Sequence, residues 1–324
     1  STSRGQEITE APSPTTPNPT PHPEASAAFL ETPRYRKFIS DTHPHLRLSD
    51  TRLPIPSYMW TLDIREPLLP GPLKALVGWA QKVAFRAVMP RTLFLGTPFE
   101  RYEQTHLLER VGDLRDLINQ AQKAAQAEEI DLVCITNISP AHPTYHTWLN
   151  AGFVPLPSFP DMVIDLEGIN SFDEHLTRIP PGDRGSVRRN TRKFERAGFT
   201  LSPVQSIDKA GPVLWESYVP FFERARVKWI PHSPAYFCGI ADVDPAVSLT
   251  TARGPGGQLA GFILNFENGT TWHAGRIGVM PEWQRRDAVY FRLIYHLIEE
   301  AISRKSTQLS LEPTCYRMKR HLGA

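Results

Sequence analysis

Apolar positions recur most regularly near the end of the 324-residue chain. Between Val289 and Arg304, the residues Phe291, Leu293, Ile294, Leu297, Ile298, Ala301 and Ile302 follow at three- and four-residue spacing, which predicts an amphipathic helix with one wide apolar stripe. An apolar run from Thr271 to Val279 predicts a strand before it, Gln308 to Glu312 predicts another after it, and Tyr316 opens a last helical turn. Strand, turn (Pro281 to Arg286), helix, strand is a βαβ arrangement. Its crossover is expected to be right-handed, and its sheet edge opens where ligands usually sit.

Upstream, Val247 to Ala252 and Leu259 to Glu267 flank a Gly-Pro-Gly-Gly turn and predict a hairpin, which Thr271 to Val279 extends into a meander. Thr200 to Val204 reads as a strand, Gly211 to Arg226 as a helix with Trp215, Tyr218, Phe221 and Phe222 in its core face, and Pro231 to Gly239 as a short connecting helix. Ser171 is placed to cap a helix through Leu176. In the first half, Phe29 to Pro72 is expected to be loop-rich, with a short strand at Tyr58 to Ile64. An amphipathic core helix is expected over Leu73 to Met89, where Lys74, Lys82 and Arg86 interrupt the apolar run at helical spacing. A strand Arg91 to Gly96, a helix Leu107 to Glu128, a strand Asp131 to Thr136 and a strand Met162 to Leu166 closing this half follow. Ser1 to Ala27, rich in Pro, Ser and Thr, has too little apolar surface to fix its backbone and is expected to be a disordered tail.

The pattern repeats. Leu117, Ile118, Ala125, Val133 and Ile135 correspond to Leu293, Ile294, Ala301, Leu309 and Leu311 at a constant separation of 176 positions (133 to 309). After a loop five residues longer in the first half, Tyr145 and Gly152 correspond to Tyr316 and Gly323 at a separation of 171 (145 to 316). Two copies of helix, strand and Tyr with Gly seven residues on predict a duplicated domain, divided as 28–168 and 169–324.

A net charge of +2 makes the whole molecule no obvious nucleic-acid binder, so any basic effect is local. It concentrates between Arg184 and Arg196, where six basic residues fall in thirteen positions of a helix expected to end at Gly198. Arg188 and Arg192 share one face of it. A solvated helix and a phosphate-facing surface are both open readings of this run. Cys134, Cys238 and Cys315 lie far apart without His-flanked spacing, so neither a disulfide framework nor a metal site is expected, which suits a cytoplasmic location. No stretch of eighteen apolar residues exists, so no membrane span is expected.

Residues 279–289, VMPEWQRRDAV, resemble the V-x-P-E-Y-R-G-x-G-x-G segment of the GNAT acyltransferase superfamily, and residues 316–324, YRMKRHLGA, resemble the closing Y-x-x-K-x-x-L-G-A of its FemABX-like branch. Tyr145 to Phe153 resembles the Y-x-x-x-GF ending of GNAT domains, and Arg188 to Gly198 an R-R-x-x-R-K-x-x-R-x-G segment of FemABX-like proteins. The resemblance implies an α/β fold of two GNAT-like domains in tandem, each a central mixed sheet flanked by helices. It implies an N-acyltransferase in which an amine acceptor attacks an acyl thioester directly, with acyl-CoA or a carrier-bound acyl group, as on an acyl carrier protein, as donor and no metal. The alternatives are an aminoacyltransferase fed by aminoacyl-tRNA and a non-catalytic binding protein with a degenerate fold. One departure stands out: the loop glycines that let backbone N–H groups approach a diphosphate are replaced by Asp287 and Val289.

Direct transfer requires a base and an acid rather than a covalent nucleophile. Glu312, at the end of a central strand, is the candidate base, with a capping or salt-bridged carboxylate as the alternative. By the resemblance, Tyr316 is the candidate acid, with a packing tyrosine as the alternative. His273 is a second candidate base, although a lone strand histidine is more often structural. The turn residues Val279, Gln284, Arg285 and Arg286 are the candidate donor-binding set. Arg188, Arg192, Arg276 and Lys319 are the candidate substrate-binding cations.

Overall fold

The computed structural model describes residues 32–43, 45–61, 89–96, 108, 111–156, 159–204, 211–225, 232–243, 247–284 and 286–324. The expected tail and the expected helix over Leu73 to Met89 lie outside the described residues, apart from Met89.

The first half contains α1 (Pro33–Thr42), β1 (Leu46–Leu48), β2 (Ser57–Thr61), β3 (Arg91–Leu95), α2 (Leu114–Ala127), β4 (Leu132–Ile135) and α3 (Tyr145–Asn150). Its sheet has the order β1-β2-β3-β4, antiparallel except for the parallel pair β3 and β4. The α1 helix corrects the loop-rich expectation. Thr32 caps it by accepting from the Tyr35 N–H at 3.2 Å, Pro33 occupies its first turn, and Tyr35 and Ile39, four apart, are buried. A Thr-Pro start signal was present; the prolines and aromatics around it masked it.

The second half contains β5 (Val163–Asp165), α4 (Phe172–Arg178), α5 (Pro181–Arg196), β6 (Thr200–Pro203), α6 (Gly211–Glu223), α7 (Pro234–Val243), β7 (Val247–Arg253), β8 (Leu259–Asn268), β9 (Thr271–Val279), α8 (Val289–Ser303), β10 (Gln308–Ser310) and α9 (Tyr316–Arg320). The sheet order is β5-β10-β9-β8-β7-β6, with β9 and β10 parallel and the other neighbours antiparallel. The strand expected to close the first half is β5, and it pairs instead with β10: Ile164 lies opposite Leu309. Its sequence reads as a strand of either half, because the choice of partner edge is a tertiary one.

The duplicated order is visible in both sheets. A parallel strand pair is crossed over by α2 in one and α8 in the other, and a short helix follows that ends near a left-handed glycine, Gly152 (φ 88°) or Gly323 (φ 92°). On α8 the stripe Leu293, Ile294, Leu297, Ile298, Ala301 and Ile302 is buried against the second sheet, while Phe291, expected within it, is 37% exposed. Each such Leu or Ile contributes about 1.5–3 kcal/mol on burial. A separate cluster joins the halves: Tyr35, Ile39, Tyr58 and Trp60 pack with Leu214, Tyr218, Phe237 and Phe262. Among the described residues no helix is long and apolar enough to cross a membrane.

Candidate active site

The β9 and β10 strands run parallel only over Thr271 to His273 and Gln308 to Ser310. Beyond this, β9 continues to Val279 while the chain after β10 turns away, so the two separate at their carboxyl ends. A bulge in β9 lies at this point: Leu264 of β8 faces Arg276 and Asn265 faces Ala274, leaving Gly275 extra. A Cβ at Gly275 would lie 2.8 Å from the Leu264 carbonyl, so no larger residue fits.

The bulge re-aims Arg276, whose Nη1 lies 3.8 Å from Oε2 of Glu312 across the opening. Both side chains are largely buried, at 11% and 21% exposed. Arg276 Nη1 also donates to the Gly275 carbonyl at 2.6 Å, and its Nε donates to Nε2 of His232. His232 is deeply buried, and burial first, then the neighbouring Arg276 and His43, pushes its pKa well below the ordinary value. It is therefore neutral and accepts on Nε2, which fixes the guanidinium. Tyr218 lies beside the pair; burial pushes its pKa up to about 12, with Arg276 opposing and Glu312 reinforcing the rise.

Glu312 (φ 58°), Thr314 (φ 71°) and Cys315 (φ 48°) adopt left-handed backbone in the turn after β10. The Tyr316 side chain opens α9 next to it, with a hydroxyl buried and without a hydrogen-bond partner. His273 is 4% exposed and stacks on Phe266 at 5.1 Å; burial pulls its pKa down to about 4 despite the nearby Asp161. A ring so held suits packing, not proton removal near neutral pH. Lys319, expected to meet a substrate's phosphate or carboxylate, donates instead to the carbonyls of Leu311, Glu312 and Pro313 at 2.6, 2.8 and 2.7 Å. An ammonium has three donors, so none remains for a ligand.

The loop from Met280 to Ala288 joins β9 to α8. Gln284 Nε2 donates to the Val279 carbonyl at 3.0 Å, and its Oε1 accepts from Arg224, so Gln284 braces the loop from within. Arg286 is exposed, and Arg285 lies outside the described residues. Asp287 (φ 51°) and Ala288 (φ 58°) are consecutive left-handed residues, and Ala288 leaves the α8 N-terminus without a side-chain cap. The backbone shape that glycine favours is thus kept without glycine. Val289 is fully buried in the core, so its branched Cβ points away from the surface that a diphosphate would approach. Backbone N–H groups at an uncapped helix N-terminus fit a phosphate-bearing donor, whereas the Asp287 carboxylate opposes one.

Arg188 and Arg192 are not brought to this opening; they lie exposed on α5. There Arg189, Arg192, Lys193 and Arg196 line an open basin of about 620 Å³, and none of the α5 cations forms an ion pair with a described residue. Trp283 of the loop packs on Phe199 at 5.0 Å, and Phe199 on Phe194 of α5 at 5.4 Å, so the helix end and the loop share one aromatic row. Sequence reasoning missed His232, Tyr218, Asp161 and Ser310. Only Asp161 carried a signal, as a carboxylate immediately before a strand; the others gain meaning from the sheet edge they reach.

Residues 182–320 match the family model of the acetyltransferase (GNAT) domain. No protein of curated function matches the sequence. The fold is similar to that of FemX (TM-score 0.56, 13% identity, covering 91% of this chain and 88% of that one). It is also similar to L-PGS from Bacillus licheniformis (TM-score 0.51, 11% identity, 90% and 80% covered). A conserved protein of unknown function from Bacteroides thetaiotaomicron VPI-5482 shares it at TM-score 0.52 and 8% identity, over 92% and 87% of the two chains.

Proposed function

We propose that the chain is an acyltransferase of the GNAT kind, and that it moves an acyl group from a thioester donor to an amine at the opening between β9 and β10. The observation that carries this reading is the juxtaposition at one strand end: an uncapped helix N-terminus behind a left-handed Asp287–Ala288 pair, and Glu312 held against Arg276 across the opening. The α8 N–H groups hold the donor's phosphates, and a donor of the coenzyme A type supplies the activated carbonyl. Glu312 takes the proton that the attacking amine loses, with Arg276 keeping the carboxylate in place. The Tyr316 hydroxyl, buried beside the turn, is the group available to protonate the departing thiolate.

The test is thermal unfolding of the full chain with coenzyme A and with acetyl-CoA. Saturation at about a hundredfold over Kd adds about 2.7 kcal/mol of stability and raises Tm by several degrees. No shift with either ligand overturns the coenzyme A donor.

A second reading, transfer from aminoacyl-tRNA, is favoured by the α5 face and by the Asp287 carboxylate. It predicts binding of tRNA that weakens steeply with salt, and a salt slope reduced by about one for each of Arg188→Ala and Arg192→Ala. Retention of the wild-type slope in both variants removes α5 from the donor site.

A further inference from the structure

Lys319 is 5% exposed, and its ammonium meets three successive carbonyls, of Leu311, Glu312 and Pro313. Three carbonyl dipoles aimed at one point repel each other unless a cation sits between them. The segment they belong to is also bent against its own side chains, because Glu312, Thr314 and Cys315 all have positive φ and a Cβ. On the other flank, Ser310 donates its hydroxyl to Oδ2 of Asp161 at 2.7 Å, and the Glu312 N–H donates to that same Ser310 oxygen at 3.3 Å. Asp161 in turn is pinned by the Met162 N–H at 2.8 Å, at the start of the strand that crosses over from the first half. The Glu312 backbone is therefore gripped twice, at its N–H through Ser310 and Asp161 and at its carbonyl through Lys319. Burial pulls the Lys319 pKa down, and the nearby Cys315, Glu312 and Asp161 oppose that.

We propose that Lys319 and Asp161 are positioning residues that clamp the 311–315 turn in its left-handed shape, and so fix the Glu312 carboxylate over the β9/β10 opening. The proposal rests on the reading of Glu312 as the base. Lys319 acts without touching substrate, and Asp161 extends the site to the segment that links the halves. The strain in the turn explains why two independent anchors are built around one residue.

The test compares backbone hydrogen exchange in the full-length wild type, Lys319→Met and Asp161→Asn, read on peptides covering 306–317 and 289–303. The clamp predicts exchange in the first peptide of both variants accelerated about tenfold or more beyond that of the α8 peptide, which reports any loss of global stability. Unchanged exchange in the turn overturns the proposal, as does equal acceleration of both peptides. Should Lys319→Met fail to fold, Asp161→Asn, nearly isosteric, decides alone. With acetyl-CoA as probe and thiol release as readout, a clamp lowers kcat and leaves KM within about twofold, whereas a lysine that binds the donor raises KM. The exchange result does not depend on the donor. An absence of acetyl-CoA turnover in the wild type therefore counts against the proposed function and leaves the clamp to be judged by exchange.

Discussion

The two halves close on the same order of strand, helix, parallel strand and short helix, and the corresponding positions of that unit hold different chemistry. At the helix start, α2 is capped by Asp113, whose Oδ1 accepts from the N–H groups of Arg115 and Asp116 at 2.8 and 3.3 Å, whereas α8 begins at Ala288 with no side-chain cap. The first half thus supplies its own anion at the position the second half leaves uncapped, where the proposed donor's phosphates would sit. At the strand end, Glu312 corresponds to Thr136 by the 176-residue separation (136 to 312), so only the second half presents a carboxylate there. Under the closing helix, Lys319 corresponds to Trp148 by the 171-residue separation (148 to 319). Trp148 is 3% exposed, packs edge-on to Phe153 at 5.0 Å and fills with a ring the space that an ammonium occupies in the other copy. One copy closes each position with a cap, a hydroxyl or a ring and the other keeps each uncapped or charged, and on this contrast the proposed site is assigned to the second half.

The largest effect expected from this contrast is at the strand end. Glu312→Gln keeps the size and the packing but cannot take a proton, so turnover should fall by about 10²–10⁴ with the melting temperature nearly unchanged. The matching substitution in the first half, Thr136→Val, should leave turnover within about twofold. Equal losses in the two variants, measured by initial rates on the same donor, would break the assignment of chemistry to one half.

Next come the buried counterparts. Trp148→Ala removes a core ring and should cost about 3–5 kcal/mol of stability in denaturant unfolding. Lys319→Met strands three carbonyls and should cost a similar amount, about 3 kcal/mol or more. The two differ in what accompanies the loss: at a temperature where both remain folded, Trp148→Ala should keep kcat and Lys319→Met should not.

How far these contrasts could be read from the residues alone depended on whether the signal was local. The α8 stripe, the meander and the Tyr and Gly spacing are periodic, so the duplication and the βαβ unit were legible. Ser171 was legible as a cap for the same reason, and the Ser171 Oγ accepts from the Glu174 N–H at 3.1 Å. The α1 helix was not, because Pro33 and four aromatic or branched residues obscured a cap signal of two residues. Glu312 and Arg276 are each candidates by residue type, yet nothing in their spacing shows that a bulge at Gly275 turns one toward the other. Lys319 falls on a position of the family segment it resembles, and that position points to substrate. Its three carbonyl partners come from a turn with positive φ at residues that rarely adopt it, and single-sequence reasoning does not foresee such a turn.

Acid should weaken both halves together and so separates stability from chemistry. His43 in the first half and His273 in the second are each pulled down to about 4, mainly by burial; His45 and Arg47 reinforce this at His43, and Asp161 opposes it at His273. Both rings are neutral in the folded and unfolded chain well above pH 6.5. As pH falls from about 6.5 to about 4, the unfolded chain binds protons that the folded chain refuses, so stability is lost across that window and levels off below it. Each ring contributes at most about 3 kcal/mol to the loss. His273→Gln should remove close to one proton from the pH slope of the unfolding free energy between 4.5 and 6, and a slope unchanged by it would show that His273 is protonated in the fold.

The smallest effects test the helix starts directly. Asp113→Ala should lower stability by about 1 kcal/mol through loss of a cap and leave donor affinity as it was. Asp287→Asn removes one negative charge from the mouth of α8 while keeping a side chain that tolerates left-handed backbone. Removing that repulsion should tighten coenzyme A by about five- to tenfold, which is about 1 kcal/mol, and calorimetric titration resolves a change of that size. If Asp287→Asn instead weakens the donor, the carboxylate is a contact rather than an obstacle. The ligand of α8 would then carry a positive or hydrogen-donating group, such as the α-amine of an aminoacyl ester, at that position.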